Sequence, residues 1–280
     1  MTEAAPLRIA LLQMTAGVDP AANADTLIAA IGEARAGGAE ILFTPEMSGC
    51  VDRDRARSTA AIAPEEADEV LAAVRAAAAE VGIWVALGSL AVLHPTEDRR
   101  LNRSYLIDAA GAICARYDKI HLFDVDLPSG ESWRESNTYV PGDTPVLAET
   151  PWGPLGLSIC YDLRFPDLYR ALSGAGADFV AIPAAFTVPT GEAHWHVLMR
   201  ARAIESEMFV IAAAQTGHHE DGRETYGHSL VVDPWGTVLL DAGTAPGVYT
   251  VDLPVDRLAQ VRSRIPVLQH RKAIGSVVRS

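Results

Sequence analysis

Three residues of the 280-residue chain combine a nucleophile, a proton acceptor and a cation: Cys160 in GLSICYDLRFP, Glu46 in LFTPEMSG and Lys119 in YDKIHLF. A thiol becomes a strong nucleophile when a neighbouring base takes its proton, and the oxyanion its attack creates needs a positive partner. Taken singly, each residue has an ordinary reading. A lone cysteine at a strand end is a small buried hydrophobe, and a glutamate before a turn is a surface or capping acid. Lys119 is harder to dismiss. Of 23 basic residues only Lys119 and Lys272 are lysines, and Lys119 is embedded among Tyr, Ile, Leu and Phe. An unpaired ammonium buried there would be costly, so the position needs an acidic partner or a task. Lys272, beside Arg271 near the end of the chain, reads as a solvated surface residue.

The elements that must position these groups alternate along the chain. LRIALLQM at 7–14 reads as a buried strand, and the Ala-rich stretch 20–37, closed by Gly37 and Gly38, as a helix. EILFTPE then sets Glu46 at the end of a second strand. Pro64 and two acids open a helix over 64–81, and WVALGSL follows as a strand. SYLIDAAG and ICARYDKIHLF are two further strands around a glycine turn, the second carrying Lys119. The polar stretch 124–145 is too long for a simple connector and is expected to be functional or disordered. In the second half, a strand over 155–161 carries Cys160 and turns through Pro166 into a helix over 166–175. DFVAIPAA, a helix over 193–206 and MFVIAAAQ continue the alternation, and HSLVVDP, TVLLDAG and GVYTVDLP read as strands before a last helix near 255–263. Cys160 therefore sits at a strand-to-helix elbow with backbone N–H groups beside it. The recurring order predicts an α/β fold, either two sheets with helices outside or one doubly wound sheet. No composition shift marks a linker, so one domain over 1–280 is expected.

Composition excludes some functions. A formal net charge of −13 without a basic cluster argues against a nucleic-acid partner. The start MTEAAPLRIALLQM has Glu3 where a secretory signal would be basic, and its apolar run is too short to span a membrane, which predicts a cytoplasmic protein with no membrane partner. Cys50, Cys114 and Cys160 are odd in number and widely spaced, so free thiols are expected, with Cys114 read as packing. His194 and His196, with the pair His218 and His219, lack a completing ligand set, so no metal is expected. SGAGAD lacks the rest of a dinucleotide fingerprint. Trp195 and Met199, four apart in one helix, read as core or interface.

Together, FTPEMSG, YDKIHLFD and GLSICYDLRFPDLYR resemble the Glu, Lys and Cys motifs of the nitrilase superfamily, the carbon–nitrogen hydrolases, over about residues 7–272. AHWHVLMRARAIE, YGHSLVVDPWGTV and IPVLQHRK are similar to the branch of ω-amidases and deaminated-glutathione amidases, and more to the latter. The resemblance implies a four-layer α-β-β-α sandwich. It implies Cys160 as nucleophile, Glu46 as general base, and Lys119 with the backbone N–H of Tyr161 as oxyanion donors. A second active-site glutamate belongs in the loop after the lysine. Glu131 in SGESW and Glu135 in RESNTYVPGD compete for it, and ES followed by a Pro-Gly pair favours Glu135. Arg164 is implied as the receiver of a distal substrate carboxylate, unless it pairs with Asp162 or Asp167, and Phe186 and Thr190 as substrate contacts.

The implied reaction is cleavage of a primary amide through a thioester, with no cofactor, on deaminated glutathione or a related ω-amide of a 2-oxo acid. An ω-amidase on α-ketoglutaramate and an N-carbamoyl amidohydrolase are the alternatives within the family. A homodimer or larger assembly is implied, through helices near the Cys-bearing strand and the carboxyl-terminal segment. From a different class, Cys160 as a non-catalytic redox sensor would react with peroxide without needing Glu46 or Lys119.

Overall fold

A computed structural model describes residues 6–126, 130 and 132–279. One six-stranded sheet is built from β1 (Leu7–Gln13), β2 (Ile41–Phe43), β3 (Trp84–Leu93), β4 (Arg100–Ile107), β5 (Ile113–Asp118) and β16 (Gly247–Leu253), in the order β16-β1-β2-β3-β4-β5. After a short hairpin of β6 (Asp124–Asp126) and β7 (Ser132–Arg134), the second sheet begins with β8 (Val146–Ala148), β9 (Leu155–Leu157), β10 (Phe179–Ala181) and β11 (Phe209–Ala212). The pair β12 (Thr216–His218) and β13 (Glu224–Tyr226) precedes its last strands, β14 (Leu230–Val232) and β15 (Val238–Asp241), giving the order β15-β14-β11-β10-β9-β8. In each sheet three neighbouring strands are parallel, β1-β2-β3 and β9-β10-β11, and the flanking strands are antiparallel.

Alternation along the strands explains the layers. In β1 the residues Ile9 and Leu11 join the core between the sheets, whereas Ala10 and Leu12 face a second core. That second core is closed by α1 (Pro20–Ala36) and α3 (Glu69–Val81), whose Leu27, Ile31, Val70 and Val74 are buried. Full burial of each such side chain is worth about 1.5–3 kcal/mol. On the other side, α4 (Pro166–Gly174) and α5 (Val188–Ser206) cover the second sheet, with Trp195 and Met199 fully buried. The result is an α-β-β-α sandwich with a sheet strand buried on both faces, which is why the strands read as near-continuous apolar runs.

Caps place the helix ends. Asp19 accepts from Ala21 N at 2.9 Å ahead of Pro20, and α3 starts later than the sequence suggests because Asp68 accepts from Leu71 N at 2.8 Å. Pro64 and the two acids instead enter a single 3-10 turn over Glu65–Ala67. A short helix that the sequence pattern does not disclose, α2 (Arg55–Ala61), is capped by Asp54. The chain ends with α6 (Arg257–Arg264), α7 (Val267–His270) and an irregular tail. Cys114 does not pack as expected. It lies on the solvent-facing phase of β5, an edge strand. Among the described residues no helix is long and apolar enough to cross a membrane.

Candidate active site

Glu46 lies just past the carboxyl end of β2, and its turn is held from three sides. Met47 N donates to Ser89 Oγ at 2.9 Å, Gln215 Nε2 donates to Glu46 O at 3.0 Å, and the backbone of Thr44 and Pro45 rests on Gly88. A Cβ on Gly88 would come within 2.0 Å of Thr44 O, so only glycine admits this approach. Gln215 also accepts from Ala16 N at 3.0 Å, which ties the two sheets together beside the turn.

Lys119 follows β5 directly, with its backbone N–H on Asn102 O at 3.0 Å. Its Nζ donates to Glu46 Oε1 at 2.9 Å and to Glu135 Oε1 and Oε2 at 3.1 and 2.9 Å. Burial alone would discharge this ammonium, but Glu135 and Glu46 outweigh it and hold Lys119 charged well above its usual range. Glu135 opens a 3-10 turn over Glu135–Asn137 in the long polar stretch and accepts from Phe123 N at 2.6 Å. Glu131, the competing acid, lies outside the described residues.

Cys160 comes from the second sheet. Its strand ends earlier than the sequence suggests, at Leu157, and Cys160 begins a 3-10 turn (Cys160–Arg164) with φ at +47°. A non-glycine residue in the left-handed region is uncommon and is held here by Cys160 N donating to Pro183 O at 2.8 Å and by buried Asp162. Asp162 accepts from Tyr117 OH at 2.6 Å, Ile159 N at 2.9 Å and His121 N at 3.0 Å. Burial, then the charge of Glu46, push the Cys160 thiol well above its usual range, and Lys119 opposes them. Glu46, which also accepts from Ala185 N at 3.0 Å, is the carboxylate beside the thiol.

The expected residues converge. Glu46, Lys119, Glu135, Cys160, Tyr161, Arg164, Phe186 and Thr190 all line one cavity of about 440 Å³. Tyr161 is second in the 3-10 turn, where a backbone N–H has no partner within the helix. Arg164 does not pair with Asp162, whose carboxylate is spent on the turn. Its guanidinium lies 5.8 Å from the Tyr161 ring and 5.4 Å from the Phe186 ring, and Nη1 is 3.3 Å from His194 Nδ1. Phe186 packs edge-on against Trp195, and the Thr190 and Thr187 hydroxyls are 2.8 Å apart. Cys50 also lines the cavity, its thiol pushed up to about 11 by burial and then by Asp52.

One participant has no counterpart in the sequence reading. Asn102, on β4 and 1% exposed, donates from Nδ2 to Glu46 Oε1 at 2.9 Å and to Glu135 Oε1 at 3.2 Å. The only signal for it was a polar residue inside an otherwise strand-like run.

The histidines fall apart into separate roles. His219 is buried between Ala16 O and the Thr225 hydroxyl, and exposed His218 faces Glu224. His196, His228 and Asp241 do come together, with ligand atoms within 4.8 Å, and are the described residues able to hold a metal. Their contacts already form a His–carboxylate–His bridge of 2.9 and 2.8 Å, and none of them lines the Cys160 cavity.

Comparison with known proteins agrees with this geometry. Residues 8–263 match the carbon-nitrogen hydrolase family. A deaminated glutathione amidase of Synechocystis is 42% identical over 268 residues, covering 95% of this chain and 98% of the relative. The NitFhit protein of C. elegans superposes with a TM-score of 0.89 at 35% identity, over 97% of this chain and 66% of that one. An amidase mutant from Nesterenkonia, in which acrylamide has added to the active-site cysteine, superposes with a TM-score of 0.78 at 31% identity, over 93% and 98% of the two chains. The chain belongs to the carbon-nitrogen hydrolase family, with the two-sheet sandwich its motifs imply.

Proposed function

We propose that the chain is a cysteine amidohydrolase in which Glu46 accepts the Cys160 thiol proton as sulfur attacks an amide carbonyl. The observation that carries this reading is the Lys119 ammonium, held at 2.9 Å from both Glu46 and Glu135 in the cavity that contains Cys160. Lys119 Nζ and the Tyr161 N–H stabilise the oxyanion, and loss of one such donor typically costs about 10²- to 10³-fold in turnover. Protonated Glu46 then gives its proton to the leaving nitrogen, and a thioester remains on Cys160. Glu46 next takes a proton from water, which attacks the thioester and frees the acid and the thiol. Glu135 keeps Lys119 in place throughout.

Arg164, stacked over apolar rings and free of Asp162, is suited to a substrate carboxylate distal to the amide. With the amidase-named relatives, this supports a 2-oxo acid ω-amide, and deaminated glutathione in particular. Its scissile amide is secondary, so the leaving group is cysteinylglycine rather than the ammonia expected of a primary amide. α-Ketoglutaramate shares the acyl half and would release ammonia.

Exposed Val197 and Ile204 on α5 support the homo-oligomer that the motifs imply. The redox-sensor alternative is disfavoured by a thiol that is buried and pushed up, since sensor thiols are accessible and acidic.

The test is release of 2-oxoglutarate, the acid common to deaminated glutathione and α-ketoglutaramate, followed by mass spectrometry against a Cys160→Ala blank. Turnover of deaminated glutathione that vanishes in the blank is expected. Substantial turnover by Cys160→Ala would sink the mechanism.

A further inference from the structure

Arg100 is the second residue with an unusual electrostatic position in the cavity. It is 6% exposed, yet among the described residues no carboxylate lies within 4.0 Å of its guanidinium. Its contacts are neutral: Nη1 donates to Ser58 Oγ at 3.1 Å, and Nη2 to Thr59 Oγ1 at 2.8 Å and to Arg55 O at 3.5 Å. Both hydroxyls in turn donate to Arg55 O, at 3.3 and 2.6 Å. This cradle fixes the guanidinium without neutralising it. A buried charge left in that condition is costly unless an anion arrives to pair with it.

The location fits such an anion. Arg100, Ser58 and Arg55 line the same cavity as Cys160. Arg100 stands two residues before Asn102 on β4, so the two side chains leave the same face of the strand, about 7 Å apart along it. Asn102 touches Glu46 and Glu135, which places Arg100 one side-chain row from the reacting centre. Arg164, by contrast, comes from the second sheet's Cys160 turn, so both halves of the sandwich contribute guanidinium groups to the cavity. Burial pushes the Tyr139 phenol up to about 12 while the Arg100 charge opposes it, so that charge is felt at a second cavity-lining residue.

We propose that Arg100 forms a second anion subsite, which binds a carboxylate carried by the leaving amine, so that the preferred substrate is a secondary amide with an acid at each end. The proposal rests on the amidase reading and on Arg164 holding the acyl-side carboxylate. A dipeptide leaving group spans about 7 Å when extended, matching the spacing between the Asn102 and Arg100 rows.

The test is binding, which reads the subsite whether or not the protein turns over any amide. Cysteinylglycine and its carboxyl-terminal amide are titrated calorimetrically into the wild-type chain and into Arg100→Gln. The wild type should bind the acid about 10- to 100-fold more tightly than the amide, and Arg100→Gln should bind the two alike. Retention of the preference by a folded Arg100→Gln overturns the proposal. So does equal binding of acid and amide by the wild type, which needs no variant to fold. In turnover, Arg100→Gln should raise KM for deaminated glutathione and leave α-ketoglutaramate, which has no acid on its leaving side, within about twofold. Equal losses on both substrates would mean a structural role and overturn the subsite while leaving the hydrolase intact. Failure of the amidase reading shows separately, as a wild type silent on both amides.

Discussion

The side-chain amide of Asn102 donates to Glu46 Oε1 at 2.9 Å, on the same oxygen that accepts from Lys119. The proposed base thus shares one oxygen between an ammonium and an amide, while its other oxygen accepts from Ala185 N. These three donors fix the orientation of the carboxylate. Asn102→Leu should lower kcat about 10- to 100-fold with little change in KM, as expected for a positioning residue. A kcat loss matched by an equal rise in KM, or explained by unfolding in thermal melts, would assign Asn102 to folding alone.

The Cys160 thiol supplies the second prediction. Burial and Glu46 raise its pKa, and Lys119 lowers it. Alkylation by iodoacetamide should therefore stay slow through neutral pH and accelerate only above the usual thiol range, near pH 8.5–9. Lys119→Met should push the onset still higher, and Glu46→Gln should bring it down. Shifts in the opposite directions would show that the two charges do not act on this sulfur.

Glu46 and Cys160 were legible because β2 and β9 are buried along their whole length. Such a run makes the first chemical group after it conspicuous, and parallel strands deliver these groups to one edge of the fold. Lys119 instead follows the half-exposed antiparallel strand β5 and stood out as a rare lysine among apolar neighbours. Asn102 was not legible for the converse reason: it lies inside β4, and its partner Glu46 is 56 residues away. Arg100, two positions earlier, is equally hidden, since its meaning comes from α2, a helix too short to leave a periodic pattern. The early end of β9 at Leu157 also escaped the pattern. Ser158 and Ile159 keep the apolar, strand-like composition while the chain prepares the turn at Cys160.

Gly88 tests whether the Glu46 turn is as tightly specified as its contacts imply. In Gly88→Ala the new methyl would meet Thr44 O at 2.0 Å and Pro45 O at 2.3 Å, both backbone atoms of the turn. Overpacking of this kind costs about 1–3 kcal/mol. Thermal melts should show that loss, and kcat should fall further than stability alone explains, because the carboxylate moves with its turn. A variant of lowered Tm but undiminished kcat would show that Glu46 tolerates the displacement.

Arg164 gives the remaining prediction, on specificity. Its guanidinium is packed between the Tyr161 and Phe186 rings and is not claimed by Asp162. Arg164→Met keeps the apolar stem against those rings and removes the charge and its fork of donors. For 2-oxo acid amides KM should rise about 10- to 100-fold, with a smaller effect on kcat, since the lost contact binds the ground state and the transition state alike. Arg164→Lys should recover only part of the affinity, because a single ammonium cannot reproduce bidentate pairing. Steady-state kinetics on deaminated glutathione and on an amide lacking the acyl-side carboxylate separate the cases. Only the first should respond, and an equal rise in KM for both would remove the carboxylate from the role of Arg164.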